Sequence, residues 1–329
     1  MQPSDTILSI ENLTVQFRSG GRWITAVQDV NLDLADRECL GIVGESGSGK
    51  SVTALTVLGL HPPKSTRIAS GRIRYQGLDL LTLPPRALGR IRGAEIAMIF
   101  QDPMSSLNPV LTIGDQIGET LRIHQGLGAD DAQRKAVELL DMVRIPDARR
   151  RVVEYPHRLS GGMRQRVMIA MAIACRPKIL IADEPTTALD VTVQAQILHL
   201  LRELRRDLGM SVILISHDMG VISEFTDKIA VMYAGQVVED AVGAGLFEQP
   251  MHPYTDGLLR AIPDIDTDTA RLPTIPGSIP DPGRPPEGCR FHPRCPEAVP
   301  ACRQTAPAMI RLSAQRQTRC PPRATRRPA

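Results

Sequence analysis

The stretch Gly41–Ser51 reads GIVGESGSGKS, and its last eight residues match the pattern G-x-x-x-x-G-K-[ST]. It begins inside an apolar, β-branched run, Cys39–Val43, and leads into a helical pattern over Lys50–Leu60. Glycines in such a loop let backbone N–H groups turn inward around an anion, and the dipole of the following helix adds to this attraction. We therefore predict a phosphate-binding loop in which Lys50 reaches the β- and γ-phosphates of a nucleotide and Ser51 holds Mg²⁺.

The sequence around this loop alternates strand and helix patterns. Ile7–Phe17 and Ala26–Leu34 alternate apolar and polar residues, which is typical of half-buried antiparallel strands. Other runs are almost wholly apolar, as parallel strands buried on both faces are, namely Cys39–Val43, Ile96–Phe100, Lys178–Asp183 and Val212–Ser216. Further helical patterns cover Gly161–Ala174 and Thr192–Leu208. Together they predict an α/β fold with a mixed sheet.

Two regions depart from this alternation. From Asp102 to about Ser160 the patterns are helical with little strand signal, which indicates a helical insertion. After Ala261 the chain becomes rich in proline, with 14 of its 27 prolines in Pro263–Ala329. Proline interrupts both helices and strands, so we do not expect regular structure there.

Composition excludes several classes of protein. The formal charge of +3 and the 3% aromatic content provide neither a basic field nor stacking platforms for nucleic acid. The longest apolar run, Val167–Cys175, is far shorter than the roughly 20 residues of a membrane-spanning helix. The first residues, MQPSDTILSIENL, lack the basic start and apolar core of a signal peptide. We expect a cytoplasmic protein whose thiols stay reduced.

Two further stretches carry side chains suited to nucleotide chemistry. The run KILIADEP places Asp183 and Glu184 at the end of a predicted buried strand, where ligand sites of α/β proteins form. Asp183 is suited to Mg²⁺, and Glu184 to orienting or deprotonating an attacking water. The stretch LSGGM, Leu159–Met163, precedes a helix and offers a second anion-binding geometry. Two phosphate-type loops with one acidic strand end suggest a composite site shared between two chains.

These motifs occur in one order together with FQDP (Phe100–Pro103), ALD (Ala188–Asp190) and ISHD (Ile215–Asp218). In that order they resemble the ATPases of ABC transporters over about Ile7 to Glu239, although Met163 stands where the family more often has Gln. The resemblance implies an ABC-type P-loop NTPase with a RecA-like mixed-sheet core, an antiparallel β subdomain and a helical subdomain at about 102–165. It places the ATPase domain at 1–240 and an irregular, Cys-rich C-terminal extension at 241–329.

The family's functional residues carry over onto matching positions. Glu184 would be the catalytic carboxylate, His217 the switch that contacts the γ-phosphate, and Gln101 the residue that senses Mg²⁺ and the membrane subunits. Phe17, 33 residues before Lys50, stands where an aromatic ring stacks on adenine, although an ordinary strand residue fits this position too. Mg²⁺ would be held by Ser51, Gln101 and Asp183. The remaining ATP contacts would come from Gly44, Ser46, Gly47, Ser48, Gly49, Lys50, Ser51 and Val52, and, toward the partner's nucleotide, from Ser160, Gly161, Gly162 and Asp190.

Longer matches narrow the resemblance to the ATPases of bacterial oligopeptide and dipeptide importers. They include YPHRLSGGMRQRVMIAMAIACRPKILIADEPTTALDVTVQAQI and, beyond the ATPase domain, MHPYTDGLLRAIP (Met251–Pro263) and LPTIPGSIPDP. The resemblance implies an ATPase on the cytoplasmic face of the inner membrane, paired with a homologous ATPase. It implies two permease subunits, an extracytoplasmic peptide-binding protein and no nucleic acid as partners.

Other functions stay open at this point. Relatives with nearly the same motifs serve nickel, glutathione and antimicrobial peptides. A non-transport ABC protein would usually carry a long coiled coil, zinc insertions or two ATPase halves. A module that has lost catalysis would not be expected to keep both Glu184 and His217.

Four of the six cysteines, Cys289, Cys295, Cys302 and Cys320, lie in the last 41 residues with the spacing C-x5-C-x6-C-x17-C. In a reducing compartment they are better read as ligands than as disulfides. The spacing lacks the paired knuckles of zinc sites and the ferredoxin pattern, so it leaves an iron–sulfur cluster, zinc and free thiols open. Importer ATPases of this group carry a [4Fe–4S] cluster on such cysteines, and the resemblance therefore implies one here. Cys39 and Cys175 are expected to be small buried residues of the core.

Overall fold

The computed structural model describes residues 6–102, 106–187, 189–243, 245–262 and 274–325. The chain divides into two compact units. Unit 1 consists of Met1–Thr82 and Ile215–Ala329, and unit 2 consists of Leu83–Leu214. Residues 263–273 and 326–329 of the predicted proline-rich tail lie outside the described residues.

The strands, in chain order, are β1 (Thr6–Ser19), β2 (Arg22–Ala35), β3 (Cys39–Val43), β4 (Thr66–Tyr75), β5 (Leu78–Asp79), β6 (Ile96–Ile99), β7 (Ile179–Asp183), β8 (Ser211–Ser216), β9 (Lys228–Tyr233), β10 (Gln236–Val242), β11 (Ile310–Ser313) and β12 (Arg316–Thr318). The α-helices are α1 (Lys50–Val57), α2 (Pro85–Ile91), α3 (Ile113–Gln125), α4 (Ala129–Met142), α5 (Ala148–Arg151), α6 (Gly161–Ile173), α7 (Val191–Leu208), α8 (Met219–Phe225), α9 (Gly245–Glu248), α10 (Pro253–Arg260), α11 (Pro300–Gln304) and α12 (Pro321–Ala324). The predicted strands and helices are confirmed to within a few residues at each end. Among the described residues, no helix has both the length and the apolar character needed to cross a membrane.

Unit 1 contains an antiparallel sheet with the strand order β2-β1-β4-β5. The inward-facing residues of β1, such as Leu13 and Val15, are fully buried, while alternate residues reach solvent. This is the period-2 pattern that the sequence shows. A second group of strands in unit 1 has the order β11-β12-β10-β9-β3. Strand β9 is parallel to β3 and antiparallel to β10, so this sheet is mixed as predicted.

The proline-rich tail contains more regular structure than its composition suggests. Strands β11 and β12 form a hairpin, and β12 extends the sheet beside β10, with Glu239 opposite Thr318. The expectation of no regular structure is therefore wrong for this segment. No proline occurs from residue 309 to 320, so each strand keeps its backbone donors. An ion pair of 2.9 Å from Arg316 Nη2 to Glu239 Oε1 also ties the hairpin to β10.

Unit 2 contains β6 and β7, which are parallel with Ile96 opposite Ile179. Every residue of β7 is buried, which explains its continuous apolar sequence. Within the predicted insertion, the described residues form helices and irregular segments only. Helix α3 begins where the Thr112 Oγ1 accepts a hydrogen bond from the Asp115 N–H at 3.1 Å, and it ends at Gly126 in the left-handed conformation.

Four aromatic rings pack together in unit 1. The ring centroids of Tyr233 and Tyr254 lie 4.6 Å apart, and that of Phe291 lies 5.1 Å from Tyr233 and 5.4 Å from Tyr254. His252 contacts Phe291 at 5.7 Å. Because Phe291 lies between two of the tail cysteines, this cluster attaches the cysteine segment to β9 and α10.

We expect Phe291→Ala to lower the free energy of unfolding of unit 1 by about 3–5 kcal/mol, because it leaves a cavity under a ring that is 2% exposed. Urea unfolding can be followed through the fluorescence of Trp23, the chain's one tryptophan, which lies in unit 1. Leu78→Ala, at a side chain of unit 1 that is 47% exposed, is the control and should lower the free energy of unfolding by less than about 1 kcal/mol. A loss below about 1 kcal/mol for Phe291→Ala would contradict the anchoring role of this ring.

Candidate functional site

The predicted phosphate-binding loop lies in unit 1 between a fully buried strand, β3, and helix α1. Gly44 begins the loop, and a Cβ at this position would lie 2.1 Å from the Met232 carbonyl oxygen. Only glycine therefore allows the loop to pass so close to β9. At the other end of the loop, Gly49 takes φ 103° and directly precedes α1. The loop thus delivers its backbone to the N-terminus of a helix, as a phosphate site requires.

Lys50 and Ser48 are buried in this loop. The Lys50 Nζ donates hydrogen bonds to the carbonyl oxygens of Gly44 (2.7 Å) and Glu45 (3.1 Å), and only 5% of the residue is exposed. The Ser48 Oγ is buried and has no hydrogen-bond partner among the described residues. Ser51 and Val52 follow in the first turn of α1 and are half-buried. Burial of a lysine ammonium beside loop carbonyls is consistent with a site for an anionic ligand.

Phe17 lies on β1 and contacts His61, with ring centroids 5.1 Å apart in an edge-to-face arrangement. The His61 Nε2 lies 3.0 Å from both the Val52 carbonyl oxygen and the Thr56 Oγ1 of α1. Burial lowers the pKa of His61. The structure thus connects the predicted adenine-stacking ring to the helix that follows the phosphate loop, through a histidine that the sequence analysis did not single out.

His217 follows β8 and is exposed. The next residue, Asp218, is the N-cap of α8, and its Oδ1 accepts hydrogen bonds from the backbone N–H of Gly220 (2.8 Å) and Val221 (3.3 Å). The cap fixes the backbone directly after the predicted switch residue.

In unit 2, Glu184 follows β7 directly and takes the left-handed conformation, φ 47°. Its Oε2 accepts hydrogen bonds from the Gln101 Nε2 and the Thr187 Oγ1, both at 2.9 Å. Asp183, the last residue of β7, is buried at 4% exposure. The structure therefore brings together two predicted site residues, Gln101 and Glu184, and adds Thr187, which the sequence analysis did not identify.

The LSGGM stretch begins a helix, as predicted. The Ser160 Oγ accepts a hydrogen bond from the Met163 N–H at 3.4 Å at the start of α6, and Gly161 follows. A Cβ at Gly162 would lie 2.7 Å from the Val193 Cγ1, and the Asp190 Oδ1 accepts a bond from the Val193 N–H at 2.9 Å. Gly162, a predicted signature residue, therefore packs against Val193 of α7, the helix whose N-cap is Asp190.

The four tail cysteines line one cavity of about 510 Å³ in unit 1. The Cys289 N–H donates a bond of 2.8 Å to the Cys302 carbonyl oxygen, and no disulfide links any of the four. In the described part of the chain, no three His, Cys, Asp or Glu side chains converge tightly enough to hold a metal ion. The structure therefore gathers the four predicted ligands around one cavity without bringing three of them together as a metal site.

Burial governs protonation around this cavity. It raises the pKa of Cys289 and Cys295, and that of Cys320 to about 11, so these thiols are neutral at pH 7 in the absence of a cation. Burial also lowers the pKa of His252 to about 3, so its neutral Nδ1 accepts a hydrogen bond from the Tyr254 N–H at 3.1 Å.

The two other cysteines lie elsewhere. Cys39 is buried in β3 as expected, whereas Cys175 lies just beyond α6 and is half-buried.

Two family models match the chain. The model described as ABC transporter matches residues 27–187, and that described as oligopeptide/dipeptide transporter, C-terminal region, matches residues 238–302. The first match contains the phosphate loop, Gln101, the LSGGM stretch and Glu184. The second contains α10 and three of the four tail cysteines.

Relatives match over nearly the whole chain. A putative peptide import ATP-binding protein of Brucella abortus (strain 2308) is 63% identical over 317 residues, which covers 96% of this chain and 95% of the relative. The oligopeptide transport ATP-binding protein OppD of Salmonella typhimurium is 50% identical over 306 residues, covering 93% of this chain and 91% of the relative. Among solved structures, the ATP-binding cassette MJ0796, a dimer bound to ADP and Pi, matches with a TM-score of 0.64 and 30% identity. That match covers 71% of this chain and 98% of the cassette. The chain therefore belongs to the ATP-binding proteins of ABC peptide importers, and it has the ABC P-loop ATPase fold that its sequence predicts.

Proposed function

We propose that this chain powers peptide import by hydrolysing ATP in a head-to-tail dimer with a second, homologous ATPase. An ATPase of this family acts with membrane permease subunits and a dimer partner, and peptide import is the activity named for its relatives. The observation that carries the hydrolytic role is the Glu184 carboxylate, which follows a buried strand and is oriented by Gln101 and Thr187. The same residues would be unnecessary in a module that only binds nucleotide.

The individual roles follow from the positions described above. Lys50 would neutralise charge on the β- and γ-phosphates. The backbone and the other residues of the loop would surround these phosphates. Ser51, Gln101 and Asp183 would hold Mg²⁺, which would polarise the phosphoryl oxygens. Glu184 would orient or deprotonate the attacking water, and His217 would contact the γ-phosphate.

The signature residues are proposed to act on the nucleotide of the partner ATPase. Ser160, Gly161 and Gly162 present a helix N-terminus, whose N–H groups and dipole attract an anion. Asp190 is the N-cap of helix α7 and would lie at the dimer seam. Phe17 would stack on adenine. We also propose that the ATPase domain spans 1–240, with a helical subdomain at about 102–165, and that the importer-specific extension spans 241–329.

The assembly would be peripheral to the inner membrane on its cytoplasmic face. We propose two permease subunits, which would provide the attachment, and an extracytoplasmic binding protein that selects the peptide. A homologue is the proposed ATPase partner rather than a second copy of this chain. Dipeptides and oligopeptides are the proposed cargo, because both the C-terminal family model and the relatives' names refer to them.

For the tail we propose a [4Fe–4S] cluster on Cys289, Cys295, Cys302 and Cys320. The support is the single cavity that all four thiols line. The cluster would supply covalent cross-links that hold this tail in place, and Arg303, adjacent to the proposed ligand Cys302, would help to offset its negative charge.

The experiment that tests the assembly is affinity purification of this chain from membranes, followed by mass spectrometry. We expect two permease subunits and one homologous ATPase to be recovered with it in comparable amounts. When the chain is expressed without the permease subunits, it should be absent from the membrane fraction. Recovery of ribosomal or DNA-repair proteins instead, or stable attachment of the lone chain to membranes, would contradict the proposal.

A further inference from the structure

The C-terminal extension holds one residue of the phosphate loop through an ion pair. Glu45 follows the first glycine of the loop. The Arg294 Nη1 donates a hydrogen bond of 2.7 Å to the Glu45 Oε2, and the Arg294 Nη2 donates one of 3.0 Å to the Glu45 Oε1. The two residues are separated by 249 positions in the sequence. A two-pronged bond of this kind fixes direction as well as distance.

Further contacts, besides the pair with Glu45, hold the Arg294 side chain in place. Its Nε donates to the Pro276 carbonyl oxygen at 2.8 Å, and its Nη2 to that of Ile275 at 3.3 Å. The guanidinium carbon lies 5.7 Å from the centre of the Tyr233 ring, and the side chain is 5% exposed. Because a buried guanidinium needs its anionic partner, the pair with Glu45 is not a loose surface contact.

The extension also holds the backbone of Glu45. The Glu45 N–H donates a hydrogen bond of 2.8 Å to the Tyr254 Oη, and Tyr254 is fully buried in α10. The side chain and the amide of one loop residue are therefore both fixed by the extension. The carbonyl oxygens of Gly44 and Glu45 in turn accept the bonds from Lys50.

This arrangement bears on nucleotide binding. A loop rich in glycine loses much conformational freedom when it closes around phosphates, and a loop already held in one conformation loses less. We propose that Arg294 and Tyr254 are positioning residues for ATP, which act through Glu45 by holding the phosphate loop in its binding conformation. Arg294 immediately precedes Cys295, so the segment that carries the tail cysteines also places this clamp. The inference rests on the proposed role of the loop in binding ATP.

The test is the dissociation constant of Mg·ATP for the full-length chain, measured by titration with a fluorescent ATP analogue and by competition with ATP. We expect Arg294→Gln to raise this constant about 10-fold, because the loop must then be ordered on binding. Arg294→Lys keeps the positive charge but cannot form the two-pronged bond to a carboxylate. Its dissociation constant should lie between those of Arg294→Gln and the wild type. In the assembled importer the KM for ATP should rise while kcat changes by less than about 2-fold.

Tyr254→Phe is the milder second variant, because it removes only the hydroxyl group that accepts from Glu45. It should raise the dissociation constant by about 3-fold. The double variant Glu45→Gln with Arg294→Gln should weaken binding by clearly less than the product of the two single effects, because both single variants break the same pair.

Arg323→Gln is the matched control. Arg323 is another arginine of the extension. It is half-buried, and its partners among the described residues are Glu297, Asp256 at 2.8 Å and the Pro250 carbonyl oxygen, not Glu45. Its loss should leave the dissociation constant within about 2-fold of wild type. An equal rise for Arg323→Gln, or no rise for folded Arg294→Gln and Tyr254→Phe, would overturn the proposal. Lys50→Ala should abolish binding in parallel, and its failure to do so would instead refute the loop assignment.

Discussion

Glu184→Gln should retain ATP binding and reduce ATP turnover by a factor of at least ~10², the scale of a lost general base. The amide keeps an oxygen that accepts hydrogen bonds from Gln101 and Thr187, as the Glu184 Oε2 does at 2.9 Å. The side chain would therefore stay in position while it loses the ability to take a proton from water. A dimer that binds ATP without hydrolysing it should accumulate.

The measurement is Mg·ATP hydrolysis by the assembled complex, with the partner's own catalytic glutamate replaced so that it contributes nothing. Size-exclusion chromatography with ATP then reports the accumulated dimer. Glu203→Gln is the control, because Glu203 is also in unit 2 and forms an ion pair with Arg144 at 2.6 Å. It should hydrolyse ATP at close to the wild-type rate. Near-normal hydrolysis by Glu184→Gln would show that another group activates the water.

Cys295→Ala should abolish iron binding by the tail. Wild-type protein purified without oxygen should be brown and contain about four iron atoms per chain, because four thiolates are the ligands of the proposed [4Fe–4S] cluster. The variant removes one of four thiols that line a single cavity, and it should be colourless. Iron analysis and the visible absorption spectrum measure both results.

Cys175→Ala provides the matched control, because Cys175 is half-buried and does not line that cavity. It should keep its colour and its iron. A colourless wild-type protein with stoichiometric zinc would contradict the cluster, and so would full iron content in Cys295→Ala.

Much of the fold could be predicted from the sequence, because local patterns determine it. Strand β3 and the loop after it form a contiguous motif. Gly44 is required there for a steric reason, because a Cβ would lie only 2.1 Å from the Met232 carbonyl oxygen. The first four residues of β7 are apolar because the strand is fully buried, and the polar residues that follow them, Asp183 and Glu184, mark the end of the strand where a ligand site is expected.

The remainder depends on contacts between distant parts of the chain. The hairpin of β11 and β12 is not predictable from its local sequence. Prolines and arginines surround the short alternating run IRLSAQRQT, which is ordered by pairing with β10. The pair of Arg294 and Glu45 has no local signal at all, since neither residue indicates its partner 249 positions away. The Thr187 bond to Glu184 is closer in sequence, yet a threonine three residues after a carboxylate is too common to single out.

The most direct test of the central claim is ATP-dependent uptake of a labelled dipeptide into vesicles that contain the assembled importer. We expect uptake to require Mg·ATP and the binding protein, and to disappear in Glu184→Gln while ATP binding remains. Hydrolysis by the complex without any peptide uptake, or uptake unchanged in Glu184→Gln with the partner site silenced, would contradict that claim.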